Sequence, residues 1–514
     1  MMRGLLFGAA LLIGSIAQPA FAAWHKASSK HFIIYADQNP EKLRAFAAKL
    51  EKFDKGVRLT RSMADYEFGD GNRLTIYVVR DVAAAEKLLG VRNVGGFYIG
   101  RATGPLAVVA KAGFSDWNDD FTTDVIFFHE YAHHLMLQDL EQALPEWLIE
   151  GYAEMLSTAK FEKDGSMWLG RAAQHRATGL FWGESIPLEK LLAGNYGPLS
   201  EGLRESVYGR GWLLTHYLNF DPARRGQLGK YTRLIAQGTD ALTAARTAFG
   251  DLKQLDADLT KYRLQRRINA LRIPASSLVP GPIEITPLSA GSAEVLPLRL
   301  RSKLGVDKTT AEPLAVKVRA VQARHKGDLL VETTLAEAEL DSGHPDASEA
   351  AADRALALDP RNTEAMIYKG RAMAARALAS SKRDPKQFAE ARSWLMKANK
   401  ADPEDPEPLM EYYKSFVFAG EPPTKNAIDA LHYASNLAPQ DIPLRLNSAL
   451  QYLSDRELKQ SRRALSPIAY NPHYRQLATV AQEMIKRIDA GDAEGALKAA
   501  EGPKKPDPAA QTGK

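Results

Sequence analysis

The chain has 514 residues, 45% of them hydrophobic and 25% charged, with a net charge of +5 and no cysteine. The composition excludes a collagen-like or low-complexity chain, and the length sets two or three domains as the prior. A small net charge without a dense basic block argues against nucleic-acid binding. The missing cysteine excludes disulfides, thiol catalysis, cysteine metal ligands and lipidation of a cysteine.

The N-terminus has the pattern of an export signal. Arg3 provides the positive start, Gly4 to Ala17 are uncharged and largely apolar, and Pro19 precedes the small-residue site Ala20-Phe21-Ala22. Residues 1–22 are therefore expected to be removed after Ala22. The other reading is a membrane anchor, for which the run falls short of the ~20 residues a span needs. No later apolar stretch reaches that length, so no stable membrane span is expected after cleavage. The expected destination is outside the cytoplasm of a bacterium, the periplasm ahead of the extracellular space.

Residues 23–272 begin as a mixed segment. His31 to Ala36 and Leu74 to Val79 have strand character, and Pro40 to Met63 and Ala83 to Leu89 have helical periodicity. Gly95 to Ile99 and Leu106 to Ala110 flank the Thr103-Gly104-Pro105 turn signal and suggest a hairpin. From Thr122 to about Arg272 the pattern is almost entirely helical. Residues 273–315, with Pro274, Pro280, Pro282, Pro287 and Pro297, read as a proline-rich connector with room for one short helix. Residues 501–514 read as a disordered tail.

Residues 316–500 are helical and repetitive. Ser348, Ala352, Ala355 and Pro360 recur as Ala391, Leu395, Ala398 and Pro403, then as Ala427, Leu431, Ala434 and Pro439. In each unit three small or apolar residues share one helix face and a proline follows five residues later. The prolines are 43 and 36 residues apart, against about 34 for the tetratricopeptide repeat. An insertion around Ser380 to Pro385 accounts for the longer unit, and Gly370 is well placed in a first helix. The pattern resembles the tetratricopeptide repeat, with a generic bundle of helical hairpins as the alternative. Such an array presents a groove to a peptide or protein partner.

The chemistry concentrates in Val125-Ile126-Phe127-Phe128-His129-Glu130-Tyr131-Ala132-His133-His134. Four residues apart on a helix, His129 and His133 leave the same face one turn apart, where a single tetrahedral zinc can take both. Glu130 can reach a metal-bound water without being a ligand, and can accept its proton. Sixteen residues separate His133 from Glu150, enough for a turn and an antiparallel partner helix. In that helix, Pro145-Glu146-Trp147-Leu148-Ile149-Glu150-Gly151-Tyr152-Ala153-Glu154, Glu150 can supply a third ligand. Glu154, one turn on, can accept the free ring N–H of a metal-bound histidine.

HEYAHH followed by PEWLIEGYAE resembles the gluzincin metallopeptidases, in particular their small peptidase-MA-like members. The resemblance implies one Zn2+ per chain on His129, His133 and Glu150, with Glu154 bracing the first histidine. It also implies that Tyr208, in Val207-Tyr208-Gly209-Arg210-Gly211-Trp212, steadies the oxyanion of the reaction. The aminopeptidase branch's glycine-rich motif has no copy here, which puts endopeptidase activity ahead of aminopeptidase activity. Gly95 to Ala110 can then be an edge hairpin along which substrate lies as an added strand.

The sequence thus points to an α+β zincin-like metallopeptidase domain followed by an all-α, tetratricopeptide-like helical-repeat domain. The expected activity is peptide-bond hydrolysis on a protein or peptide substrate, with a protein partner at the repeats. Two rivals stay open: an interaction protein whose zinc domain turns over little, and a zinc hydrolase with a non-protein substrate. His134, His175, His216 and His432 read as packing or surface residues, Trp147 and Trp212 as core anchors, and Arg462 and Arg463 as a solvated pair.

Overall fold

The computed structural model describes residues 24–65, 69–89, 96–111, 123–139, 144–194, 196, 199–380, 384–469 and 474–500. The expected export signal, Gly95, Thr122 and the C-terminal tail lie outside them. Among the described residues, no helix is long and apolar enough to cross a membrane.

The first half is built on a six-stranded sheet. Its strands are β1 (Trp24–Ser28), β2 (Phe32–Asp37), β3 (Leu74–Val79), β4 (Gly96–Ile99), β5 (Leu106–Ala110) and β9 (Glu284–Pro287), in the spatial order β4-β5-β3-β2-β1-β9. Strands β2, β3 and β5 run parallel, so each needs a crossover. Helix α1 (Pro40–Arg61) makes the first, started by Asn39, whose side chain accepts from the Glu41 amide, and by Pro40 in its first turn. Helix α2 (Val82–Leu89) and the antiparallel β4–β5 hairpin make the second.

Both faces of this sheet are covered, which is why β3 and β5 are almost continuously apolar. Phe32, Ile34, Leu74, Ile76, Ala107 and Val109 face one layer, against α1 and α3 (Thr123–Asp139). The alternate residues Tyr35, Tyr77, Leu106 and Val108 face Leu296 and Leu300 of α11 (Ala290–Lys303) on the other.

After α3, helix α4 (Glu146–Ser157) returns antiparallel, and α5 (Ala177–Phe181), α6 (Leu188–Ala193), α7 (Glu201–Phe220), α8 (Gln227–Ala236), α9 (Ala241–Phe249) and α10 (Leu252–Tyr262) complete the layer. This region is not wholly helical. Strands β6 (Lys160–Phe161), β7 (Met167–Leu169) and β8 (Leu271–Ile273) form a small antiparallel sheet. They are too short to show an alternating pattern.

The segment 273–315 holds more structure than its prolines suggest. Its residues Glu284–Pro287 pair antiparallel with β1 as an edge strand, a position that tolerates Pro287. Pro297 lies inside the 14-residue helix α11 rather than ending it.

From α12 (Ala311–Arg324) onward the chain is an all-helical repeat. Among the described residues five antiparallel hairpins follow: α13 (Leu329–Asp341) with α14 (Pro345–Leu358), α15 (Thr363–Ala379) with α16 (Pro385–Ala401), α17 (Pro406–Ala419) with α18 (Lys425–Leu437), α19 (Ile442–Ser454) with α20 (Leu458–Ala469), and α21 (Arg475–Asp489) with α22 (Ala493–Ala500). The nine repeated positions from Ser348 to Ala434 are all buried, on the second helices of the first three hairpins. Gly370 lets α15 approach α16: a Cβ there would lie 3.1 Å from the Ala391 carbonyl oxygen. In the fourth hairpin Ser461 bonds Ala449 O at 2.9 Å, the counterpart of Ser348 to Ala336 O at 2.7 Å.

The array is fastened to the sheet. The turn between β4 and β5 plugs into it: Ala102 is fully buried among Leu409, Met410, Leu431 and Leu444. Its amide donates to Asp441 Oδ2 at 2.8 Å, and Asn72 donates to Leu437 O at 2.6 Å. Arg299 of α11 pairs with Glu364 of α15 at 2.9 Å.

Candidate metal centre

Helix α3 is held by aromatic packing from below. Phe128 stacks on Phe53 of α1 with ring centroids 4.1 Å apart, and the Tyr131 hydroxyl donates to Asp54 at 2.8 Å. These contacts fix the helix about its axis and turn His129 and His133 toward α4.

Helix α4 is seated by glycines. At Gly151 a Cβ would collide with Thr215 Oγ1 and the Gly211 carbonyl oxygen, and at Gly211 one would sit 2.7 Å from the Trp147 carbonyl oxygen. Backbone thus meets backbone where α4 crosses α7, with Trp147 fully buried beside the crossing. That close approach puts Glu150 and Tyr208 on the side where the histidines emerge.

The sequence-predicted ligands converge. His129 Nε2 and His133 Nε2 are 3.1 Å apart, and Glu150 Oε2 lies 3.4 Å from the first and 3.5 Å from the second. Zinc bonds of about 2.0–2.1 Å at tetrahedral angles place ligand atoms about 3.3–3.4 Å apart. His129 turns Nδ1 to Glu154 Oε1 at 3.1 Å, so one ring proton belongs there and Nε2 is the position that a second proton or a metal cation would compete for. Two imidazoles and a carboxylate meeting this way suit a single divalent cation.

The electrostatics agree. Burial alone would lower the proton affinity of His129, but Glu154 and then Glu150 outweigh it and push its pKa up to about 10. Burial would raise Glu150, yet His133 and then His129 hold it below the usual carboxylate range. Glu154 is likewise held well below that range against its burial, by His129 and then Arg176. The pocket attracts positive charge.

Glu130 is half-buried on the side facing β4, beside Gly96, Phe97 and Tyr98. Tyr208 is half-buried with its ring centroid 6.3 Å from that of His129. The Glu150 charge, then burial, raise its hydroxyl pKa above the ordinary value.

Two residues of this centre escaped the sequence. His175, read there as a packing or surface residue, meets Glu154 Oε2 at 2.7 Å, and its neighbour Arg176 meets Oε1 at 2.7 Å. They lie in a loop that reaches the site only through tertiary packing, and no local pattern marks them. His134 leaves another face of α3. Gln138, whose side-chain oxygen accepts from Arg58, offers its amide nitrogen to His134 Nε2 at 2.9 Å. His134 Nδ1–H therefore donates to the Tyr98 hydroxyl at 2.6 Å. His216 packs internally between Tyr262 and the Gly170 carbonyl, and His432 stacks on Tyr452. Trp147 and Trp212 are buried, and Arg462 pairs with Asp489 at 2.7 Å.

A second group, His31, Asp54 and Asp65, also draws together. Its charges already have protein partners: Glu51 at 2.7 Å from His31, Arg58 at 2.8 Å from Asp54 and Lys30 at 2.8 Å from Asp65.

No family model and no curated protein matches the chain. Solved structures that resemble it include a thermophilic tetratricopeptide-repeat protein of Thermus thermophilus, at 16% identity and a TM-score of 0.31, covering 40% of this chain and 100% of that one. PilF of Pseudomonas aeruginosa matches at 14% identity and a TM-score of 0.31, covering 41% of this chain and 91% of that one. A double mutant of MamA matches at 14% identity and a TM-score of 0.26, covering 38% of this chain and 96% of that one.

Proposed function

We propose that the chain is an exported zinc-dependent peptidase, with His129, His133 and Glu150 as its metal ligands. The convergence of three donor atoms within 3.1–3.5 Å of one another carries the reading. A bound zinc would polarise a carbonyl and lower the pKa of water to about 7. Glu130 is the general base that takes the proton of the attacking water and passes it to the leaving amine. Glu154 orients His129. Tyr208 offers a hydroxyl toward the charge that develops on the carbonyl oxygen. The β4 edge gives an extended peptide backbone partners beside Glu130, which suits an endopeptidase.

The repeat array would hold a protein partner or the substrate. A second reading is an interaction protein whose metal domain turns over little. The five-hairpin array favours it, being a fold that generally serves protein recognition. Digestion of an unfolded protein substrate by zinc-loaded wild type and by Glu130→Gln separates the two. Cleavage by the wild type, lost in a variant that keeps its zinc, supports the peptidase. Equal cleavage by both removes Glu130 from the mechanism, and no cleavage by either while a partner binds the array supports the rival.

A further inference from the structure

Arg176 joins two parts of the metal centre that the sequence left unconnected. It ends the short 3-10 turn Gln174–Arg176, just before α5. Its Nη2 donates to Glu154 Oε1 at 2.7 Å, and its Nη1 reaches both oxygens of Glu205 at 3.2 and 3.0 Å. The guanidinium carbon lies 4.7 Å from the centroid of the Tyr208 ring, over its face. His175 Nε2 holds the other Glu154 oxygen at 2.7 Å. The carboxylate that faces His129 is thereby fixed at both oxygens, and the face of Tyr208 is fixed by the same cation.

We propose that Arg176 is a positioning residue of the metal centre, setting the Glu154 carboxylate that orients His129 and the ring of Tyr208 in one contact. The inference rests on the metal-centre reading above. A planar fork suits the task because it spans Glu154 and Glu205 at once, which a lysine's point charge does not. Glu205, with its side chain 41% exposed, anchors the far edge of the fork. A merely structural arginine would affect melting temperature without affecting metal affinity. Charge and orientation must also be separated, since removing a cation by itself favours binding of a divalent metal. Arg176→Lys separates them by keeping the charge and losing the fork.

The test is the zinc dissociation constant of the metal-stripped full mature chain, by competition with a chromogenic chelator, with thermal melts alongside. The variants are Arg176→Lys, Arg176→Gln and Glu205→Gln. Arg224→Lys is the control, since Arg224 pairs with Asp258 at 2.7 Å and lies over the Tyr217 ring, the same chemistry in another part of the domain. Folded Arg176 variants are expected to bind zinc several-fold to about 10-fold more weakly, the lower end of the cost of losing a ligand's direct partner, because Arg176 acts through Glu154. Glu205→Gln should lose less, and Arg224→Lys nothing. Wild-type affinity in a folded Arg176→Lys overturns the inference. If neither Arg176 variant folds, Glu205→Gln decides: wild-type affinity there overturns it. A wild-type chain that binds no zinc refutes the metal centre itself, and the inference with it.

Discussion

Nδ1 of His129 lies 3.1 Å from Oε1 of Glu154, on the opposite side of the ring from the atom offered to the metal. The contact places a ring proton on Nδ1 and leaves Nε2 as the nitrogen that a metal would take. Glu154→Gln keeps the shape but removes the charged acceptor. Zinc affinity is expected to fall about 10- to 100-fold, as measured by chelator competition. Unchanged affinity would mean that Glu154 only packs.

The crossing of α4 on α7 leaves no room for a side chain at Gly211, whose Cβ would sit 2.7 Å from the Trp147 carbonyl oxygen. Gly211→Ala forces the helices apart and is expected to destabilise the fold by about 1–3 kcal/mol. It should also weaken zinc binding, because Glu150 moves with α4. A thermal melt and a zinc titration on the same sample check both effects.

His134 supplies a pH dependence. Burial first, then Arg58 and His31, depress its pKa from 6.5 to about 3. The unfolded chain binds this proton below pH 6.5 while the folded chain refuses it until about pH 3. The contribution of neutral His134 is thus intact above pH 6.5 and is lost progressively as pH falls toward 3. In that window one such group gives a slope of about 1.4 kcal/mol per pH unit. Denaturant melts from pH 7 to 4 should be less acid-sensitive in His134→Gln than in the wild type by about that slope. Parallel profiles would show that His134 titrates as in the unfolded chain.

Much of this was legible beforehand, for identifiable reasons. Leu74–Val79 and the β4–β5 hairpin showed as strands because apolar runs and a Gly-Pro turn are local signals. The repeat faces showed because small residues recur where helices must approach closely. Strands β1 and β9 did not, since Trp24–Ser28 and Glu284–Pro287 are short and polar and become strands only by pairing with each other and with β2. Helix α11 was masked by Pro297. The convergence of His129, His133 and Glu150 was readable from spacing within two helices, whereas that of His175 and Arg176 was not, because only the folded chain brings their segment to Glu154. The docking of the array on the sheet domain was equally hidden, and so was the cover that α11 gives to the second face of β3 and β5.

That docking is itself testable. Ala102 is fully buried in the array and its amide bonds Asp441 at 2.8 Å. Ala102→Glu would bury an unpaired carboxylate there, and a loss of about 3 kcal/mol is expected. Hydrogen exchange should accelerate across residues 96–110 and 431–444 together. Acceleration in only one of the two segments would show that the hairpin and the array are not coupled.

The central claim is the three-ligand metal site, and the most direct measurement is the zinc content of the purified protein by elemental mass spectrometry, beside Glu150→Ala. One zinc per chain, lost in the variant, is the expected result. A chain that takes up no zinc even when supplied with it, or a Glu150→Ala variant that keeps a full complement, would contradict the account.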